Sequence, residues 1–151
     1  MPVATLDQIE AMVGKPLGHS AWLEVDQQRI NAFADATDDH QFIHVDPEAA
    51  AKTPFGGTVA HGFLTLSLLS RMAADVMLRP EQIRMGVNYG FEKVRFMAPV
   101  RSGKKVRGRF RLARFEEKKP SQYQFVHQVT VEIEGEDKPA LIADWIGLIF
   151  I

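Results

Sequence analysis

His61–Leu78 reads "HGFLTLSLLSRMAADVML", and the pattern of this stretch decides the architecture around it. Apolar residues fill most positions up to Arg71, leaving no polar stripe wide enough to face water. A helix on a protein surface has one apolar and one polar face, whereas a helix apolar on most sides is surrounded by protein. The stretch therefore predicts a long central helix, enclosed by elements from elsewhere in the chain.

Those elements follow it. After Pro80 the period changes from helix to strand, and "RMGVNYGFEKVRF" (84–96) reads as one strand, with Gly86 and Gly90 as points of bend or close approach. "PVRSG" turns into "KKVRGRFRLARF" (104–115), where Lys105, Arg107, Arg109 and Arg111 alternate with Val106, Gly108, Phe110 and Leu112. A period of two marks a half-buried strand. "KKPS" turns into "YQFVHQVTVEIE" (123–134), with Tyr123, Phe125, Val129, Val131 and Ile133 on one face, and "GEDKP" into "ALIADWIGLIF" (140–150).

Upstream, helices dominate. Thr5-Leu6-Asp7-Gln8 has the form of a capping box, followed by Ile9, Met12 and Val13 at helical spacing and a stop at Gly14. "HSAWLEV" (19–25) reads as a strand. Asp26 caps "QQRINAFADA", and Asp46-Pro47 opens "PEAAAK". Helices in the first half and antiparallel strands in the second make an α+β order, with a four- or five-stranded sheet wrapping the central helix.

At 151 residues the chain fits one domain, 1–151, able to bury a sizeable core. A formal net charge of −1 gives no field to attract nucleic acid or a membrane surface. No stretch approaches the roughly 18 apolar residues of a membrane span. The chain has no cysteine, which excludes disulfides and a thiol nucleophile and fits a reducing compartment. "MPVATLDQIEAMVGK" carries Asp7 and Glu10 without a long apolar run, unlike a signal peptide, so a cytoplasmic location is expected.

"DATDDHQFIHVD" (35–46) concentrates four aspartates and two histidines around Phe42, Ile43 and Val45. Asp39 and His44 stand five residues apart at a helix-to-loop exit. A carboxylate and an imidazole brought together there can hold one water and move its proton, which is general acid/base chemistry. The plainer alternative is an aspartate finishing a turn above a packed histidine. In "FGGTVAHGFL", Gly62 at the entrance of an apolar helix offers a backbone N–H to an oxygen gaining negative charge. Its plainer alternative is tight packing.

Together, "ATDDHQFIHVD" and "FGGTVAHGFLTLSLL" resemble the signature of the MaoC-like (R)-specific enoyl-CoA hydratase and 3-hydroxyacyl-thioester dehydratase family, in the branch related to nodulation protein N. "VNYGFEKVRFMAPVRSG" resembles the family's next strand and turn. The resemblance implies a single hot-dog domain and reversible hydration of trans-2-enoyl thioesters to (R)-3-hydroxyacyl thioesters. It makes Asp39 and His44 the catalytic pair and Gly62 the donor to the thioester carbonyl. Ser70 falls where family members carry a serine near the catalytic aspartate, with Ser67 one turn away. No cofactor or metal is implied, and coenzyme A or acyl carrier protein enters as part of the substrate. Two departures stand out: Gln41-Phe42 replaces the family's Asn-Pro, and Asp38 replaces the glycine before the aspartate. Both bear on substrate binding beside the pair. Arg95 is a candidate for the thioester arm.

The family also implies a homodimer joined edge to edge, and the apolar "ALIADWIGLIF" is more apolar than an exposed edge strand should be. The basic face of residues 105–111 is a candidate phosphate cradle, although a solvated face partnered by Glu132 and Glu134 is the favoured reading. Three rival functions remain. His40, His44 and Asp46, with His61 or Asp39, offer a metal ligand set. A thioesterase would place a carboxylate on the central helix, which has none before Asp75. A non-catalytic, nodulation-type protein would bind acyl thioesters with the Asp–His pair kept as structure.

Overall fold

All residues, 1–151, are described by the computed structural model. In chain order the elements are β1 (Val3–Ala4), α1 (Leu6–Glu10), β2 (Pro16–His19), β3 (Leu23–Val25), α2 (Gln27–Thr37), α3 (Phe42–Val45), α4 (Pro47–Ala51), α5 (Gly62–Ser67) and α6 (Leu69–Val76). Then come β4 (Arg79–Pro80), β5 (Met85–Phe96), β6 (Lys104–Lys119), β7 (Gln122–Ile133) and β8 (Leu141–Phe150). No helix is long and apolar enough to cross a membrane.

The alternation of β6 becomes its burial: Val106, Gly108, Phe110 and Leu112 are buried, while Lys105, Arg109 and Arg111 are exposed and Arg107 is half-buried. β6 pairs with β7, β7 with β8 and β8 with β5, all antiparallel; β2 and β3 both join the other side of β6. The strand expected over 19–25 holds only at His19, where β2 ends, and over Leu23–Val25, with residues 20–22 outside any strand. Ser20 causes the break. It is buried, and its hydroxyl accepts the Gly108 N–H at 3.0 Å where a ladder carbonyl would otherwise stand.

The central helix also departs from expectation. It forms two segments, α5 and α6, interrupted at Leu68, which keeps right-handed helical angles (φ −67°, ψ −13°). Next to the interruption, the Ser67 hydroxyl donates to the Phe63 carbonyl at 2.7 Å. Such bonding of a serine to the carbonyl four residues back loosens and bends helices. Leu64, Leu69, Met72, Ala73 and Val76 are buried in the main core, but Phe63, Ser67 and Ser70 are exposed, Phe63 by 67%. Within one chain the sheet covers only one side of the rod.

Gly108 shows how closely they pack. A Cβ there would lie 2.6 Å from the Phe110 ring and 3.1 Å from the Met72 sulfur, so only glycine lets α6 settle on β6. β8 lies inside the sheet between β7 and β5, which explains its apolar sequence and corrects its reading as an edge. The edge is β5. Met85, Val87, Tyr89 and Phe91 recur on it with period two, each 38–65% exposed.

On β7, His127 is buried beside the rings of Phe125 (4.7 Å between centroids) and Phe110 (6.4 Å). Its Nδ1 has no hydrogen-bond partner, and burial in these apolar surroundings pushes its pKa down to about 3.

Candidate active site

α2 begins at Asp26, whose carboxylate accepts the Arg29 N–H at 2.8 Å. It ends at Asp38, whose φ of 58° and ψ of 21° are left-handed. That conformation favours glycine, and aspartate is among the few other residues that tolerate it. Asp38 thus fulfils the backbone requirement at the position where the family pattern has glycine. The left-handed residue ends the helix and leaves Asp39 with its side chain 54% exposed. One carboxylate oxygen of Asp39 accepts a long hydrogen bond, 3.4 Å, from the Gln41 N–H.

Instead of a loop, residues 42–45 form the single turn α3, started by the His44 N–H donating to the Gln41 carbonyl at 2.9 Å. This turn carries His44 inward to 7% exposure. The ring Nδ1–H of His44 donates to the Val59 carbonyl at 2.6 Å. A carbonyl only accepts, so in the neutral ring Nε2 carries the lone pair. Gln27 ties the neighbourhood together: its amide donates to the His44 carbonyl at 2.7 Å and its oxygen accepts from the Thr58 hydroxyl. The Val59 N–H donates back to Ile43 at 3.0 Å.

The structure adds a residue that was considered only as a metal ligand. His61, 3% exposed, donates from Nε2 to the backbone carbonyl of Asp39 at 2.9 Å. The same atom lies 4.0 Å from the Asp39 carboxylate. Its ring stacks on that of His44, with centroids 3.8 Å apart and planes 23° apart. One donor atom each from Asp39, His44 and His61 falls within 4.8 Å of the others. The carbonyl bonds of His44 Nδ1 and His61 Nε2 leave the opposite ring nitrogen of each histidine with its lone pair. The other proposed metal ligands point elsewhere: His40 meets Asp35 at 2.8 Å, and Asp46 caps α4 through the Ala49 N–H at 2.9 Å. No spacing rule connects His61 to residues 17 and 22 positions earlier, so the sequence offered only an ionisable residue at the mouth of an apolar run.

Gly62 follows directly and opens α5, so its N–H has no carbonyl within that helix to meet. A Cβ on Gly62 would lie 2.9 Å from the Phe96 ring. A cleft of about 290 Å³ runs beside it, lined by Phe55, Ala60, Thr65, Phe96 and Val100 among others.

The other named residues are more dispersed. Gln41 and Phe42 lie between Asp39 and His44 in the chain and are exposed, Phe42 by 47%. The Gln41 side chain gives α3 no capping bond. Ser70 does not bond Asp39; it lines two clefts, of about 290 and 320 Å³, between α6 and β5. Ser67 is turned to Phe63 as described. Arg95 is exposed on β5, next to Phe96 in the chain. The largest cleft, about 580 Å³, lies over Trp22, Arg107 and Arg109 and shares no lining residue with the Asp39–His44 site. There Glu132 meets Arg107 at 2.7 Å and Arg109 at 3.5 Å, so one carboxylate offsets part of the charge of the basic face.

Comparison with known proteins agrees with this architecture. The sequence profile of the family described as "MaoC like domain" matches residues 8–135. Nodulation protein N of Rhizobium meliloti (strain 1021) is 53% identical over 145 residues, 95% of this chain and 90% of that protein. 3-hydroxyacyl-thioester dehydratase Z of Mycobacterium tuberculosis is 46% identical over 136 residues, 90% of this chain and 89% of that protein. Among solved structures, the MaoC-like dehydratase from Rhodospirillum rubrum superposes with a TM-score of 0.76 at 24% identity, covering 97% of each chain. That last likeness bears on the fold alone.

Proposed function

Because the chain belongs to the MaoC-like dehydratase family, we propose that it catalyses the reversible hydration of trans-2-enoyl thioesters to (R)-3-hydroxyacyl thioesters. The observation that carries this reading is the approach of Asp39 to within 4.8 Å of a buried His44 whose Nδ1–H is already committed to Val59. His44 Nε2 and the Asp39 carboxylate are then the two acceptors for one water. Its oxygen bonds to C3 of the enoyl group, and one of its protons passes through the pair to C2. The double bond is consumed and no other reactant is needed. Charge building on the thioester oxygen meets the Gly62 N–H, a donor oriented before the reaction begins. Gln41 and Phe42 border the substrate, and Ser70 and Arg95 are assigned to its acyl and thioester ends. The acyl group arrives on coenzyme A or acyl carrier protein, and the chain's own groups supply the chemistry without a cofactor.

The test is spectrophotometric. Trans-2-enoyl-CoA substrates of increasing length should lose their enoyl absorbance on addition of the protein, giving the (R)-3-hydroxy product. Release of free thiol with the enoyl absorbance intact would replace hydration with thioester hydrolysis. A second reading, a non-catalytic acyl-thioester-binding protein, draws on the 53% identity to a nodulation protein. Saturable binding of enoyl-CoA with no turnover would favour it.

We also propose a homodimer formed through the β5 edge. Its alternating exposed apolar residues, with Phe96 at the end of the strand and Phe63 5.8 Å from the Phe96 ring, are what an unpartnered edge should avoid. Sedimentation at micromolar concentration is expected to give twice the chain mass. Tyr89→Lys should shift the distribution toward monomer, and a wild-type monomer at that concentration would remove the proposal.

A further inference from the structure

We propose that His61 is a positioning residue that sets the acid/base pair and the Gly62 donor in register; the inference rests on the hydratase reading. Three observations converge on this side chain. Its Nε2–H holds the Asp39 carbonyl at 2.9 Å, fixing the turn from which the carboxylate projects. Its ring covers a face of His44 at 3.8 Å. It is also the N-cap of α5, joined by one peptide bond to Gly62.

The need for such a part is visible in the other contacts. The Asp39 carboxylate has only a 3.4 Å bond to Gln41 and is more than half exposed, so little holds it directly. His44 is anchored through Nδ1, a single bond about which an uncovered ring can still rock. His61 restrains both through one rigid, buried ring. Its Nε2 is occupied by the carbonyl, and its Nδ1 is buried without a hydrogen-bond partner. Neither nitrogen is free to exchange protons with substrate, which makes the role one of placement. Misplacement of reacting groups by about 1 Å costs on the order of 100-fold in rate.

His61→Gln and His61→Asn separate this role from bulk packing. A glutamine amide nitrogen reaches the position of imidazole Nε2 and can still donate to Asp39; an asparagine amide is one methylene short. On trans-2-enoyl-CoA, the glutamine variant should keep kcat within about tenfold of wild type, and the asparagine variant should lose about 100-fold. KM should change less than about threefold in both. Should the asparagine variant fail to fold, His61→Phe fills the same volume without a donor and is expected to show the same loss of kcat. Nitrogen-15 NMR of the His44 ring gives a readout independent of turnover. Wild type should show the single Nδ1–H tautomer, and the asparagine variant a mixture of tautomers. Unchanged kcat and a single tautomer in folded asparagine or phenylalanine variants would overturn the proposal. So would a glutamine variant as inactive as the asparagine one, because His61 would then be acting chemically. A wild-type protein that hydrates nothing, with the tautomer change intact, would defeat the hydratase reading and leave the positioning role standing.

Discussion

Asp39→Asn is expected to lower enoyl-thioester hydration by about 10³-fold, with the fold unchanged. Asparagine matches aspartate in shape, and its amide oxygen can still accept from the Gln41 N–H. The backbone carbonyl that His61 holds is untouched. What disappears is a group able to take and return a proton, a contribution of about 10²- to 10⁴-fold in general acid/base catalysis. His44→Ala should cost a similar factor, because it removes the other half of the water's binding site. The double variant should be little worse than either single one, since residues that act as a unit are not additive. Turnover on trans-2-enoyl-CoA, compared with thermal melts of the same samples, checks this. A folded Asp39→Asn variant at wild-type rate would end the proposed mechanism.

The second large effect concerns stability. His127 titrates at about 3 in the folded chain, against about 6.5 for an exposed histidine. Between those values the unfolded state binds a proton that the folded state refuses, so stability falls as the pH falls from about 6.5 toward 3. The full loss is roughly 4 to 5 kcal/mol, comparable with the entire stability of a marginal domain. His127→Leu should remove this component, because leucine has no charged form to exclude. Urea unfolding of both proteins at pH 7.5 and pH 4.5 isolates the effect, since titrations common to the two chains cancel. Wild type should lose on the order of 2 to 3 kcal/mol more than the variant between those pH values. Equal losses would show that His127 is not the buried neutral base described.

Much of this arrangement is legible in the chain because the relevant physics is local. The side chains of Thr5, Asp26 and Asp46 each accept an N–H in the first turn of a helix, as their types and positions predicted. The period-two pattern of β6 became its two faces. Reading failed where a side chain intervened in the backbone pattern. Ser20 breaks one strand through its bond to Gly108, and Ser67 back-bonds beside the interruption at Leu68, yet both look like ordinary small residues in sequence. It failed again where neighbours, not composition, decide exposure. β8 has strands on both sides, whereas β5 is left at one edge with Met85, Val87, Tyr89 and Phe91 exposed. The closeness of Asp39 and His44 was anticipated from a short motif. His61 entered only through the rival metal set, because its place beside the pair depends on segment 58–61 lying alongside α3.

On the proposed mechanism, Asp38 would influence the chemistry without contact with it. A β-branched residue such as valine would be sterically ill at ease in this left-handed conformation, and relaxing it would re-aim the next side chain without altering any reacting group. Turnover alone would make such a change look like the removal of a catalyst, when only its bearing had been lost.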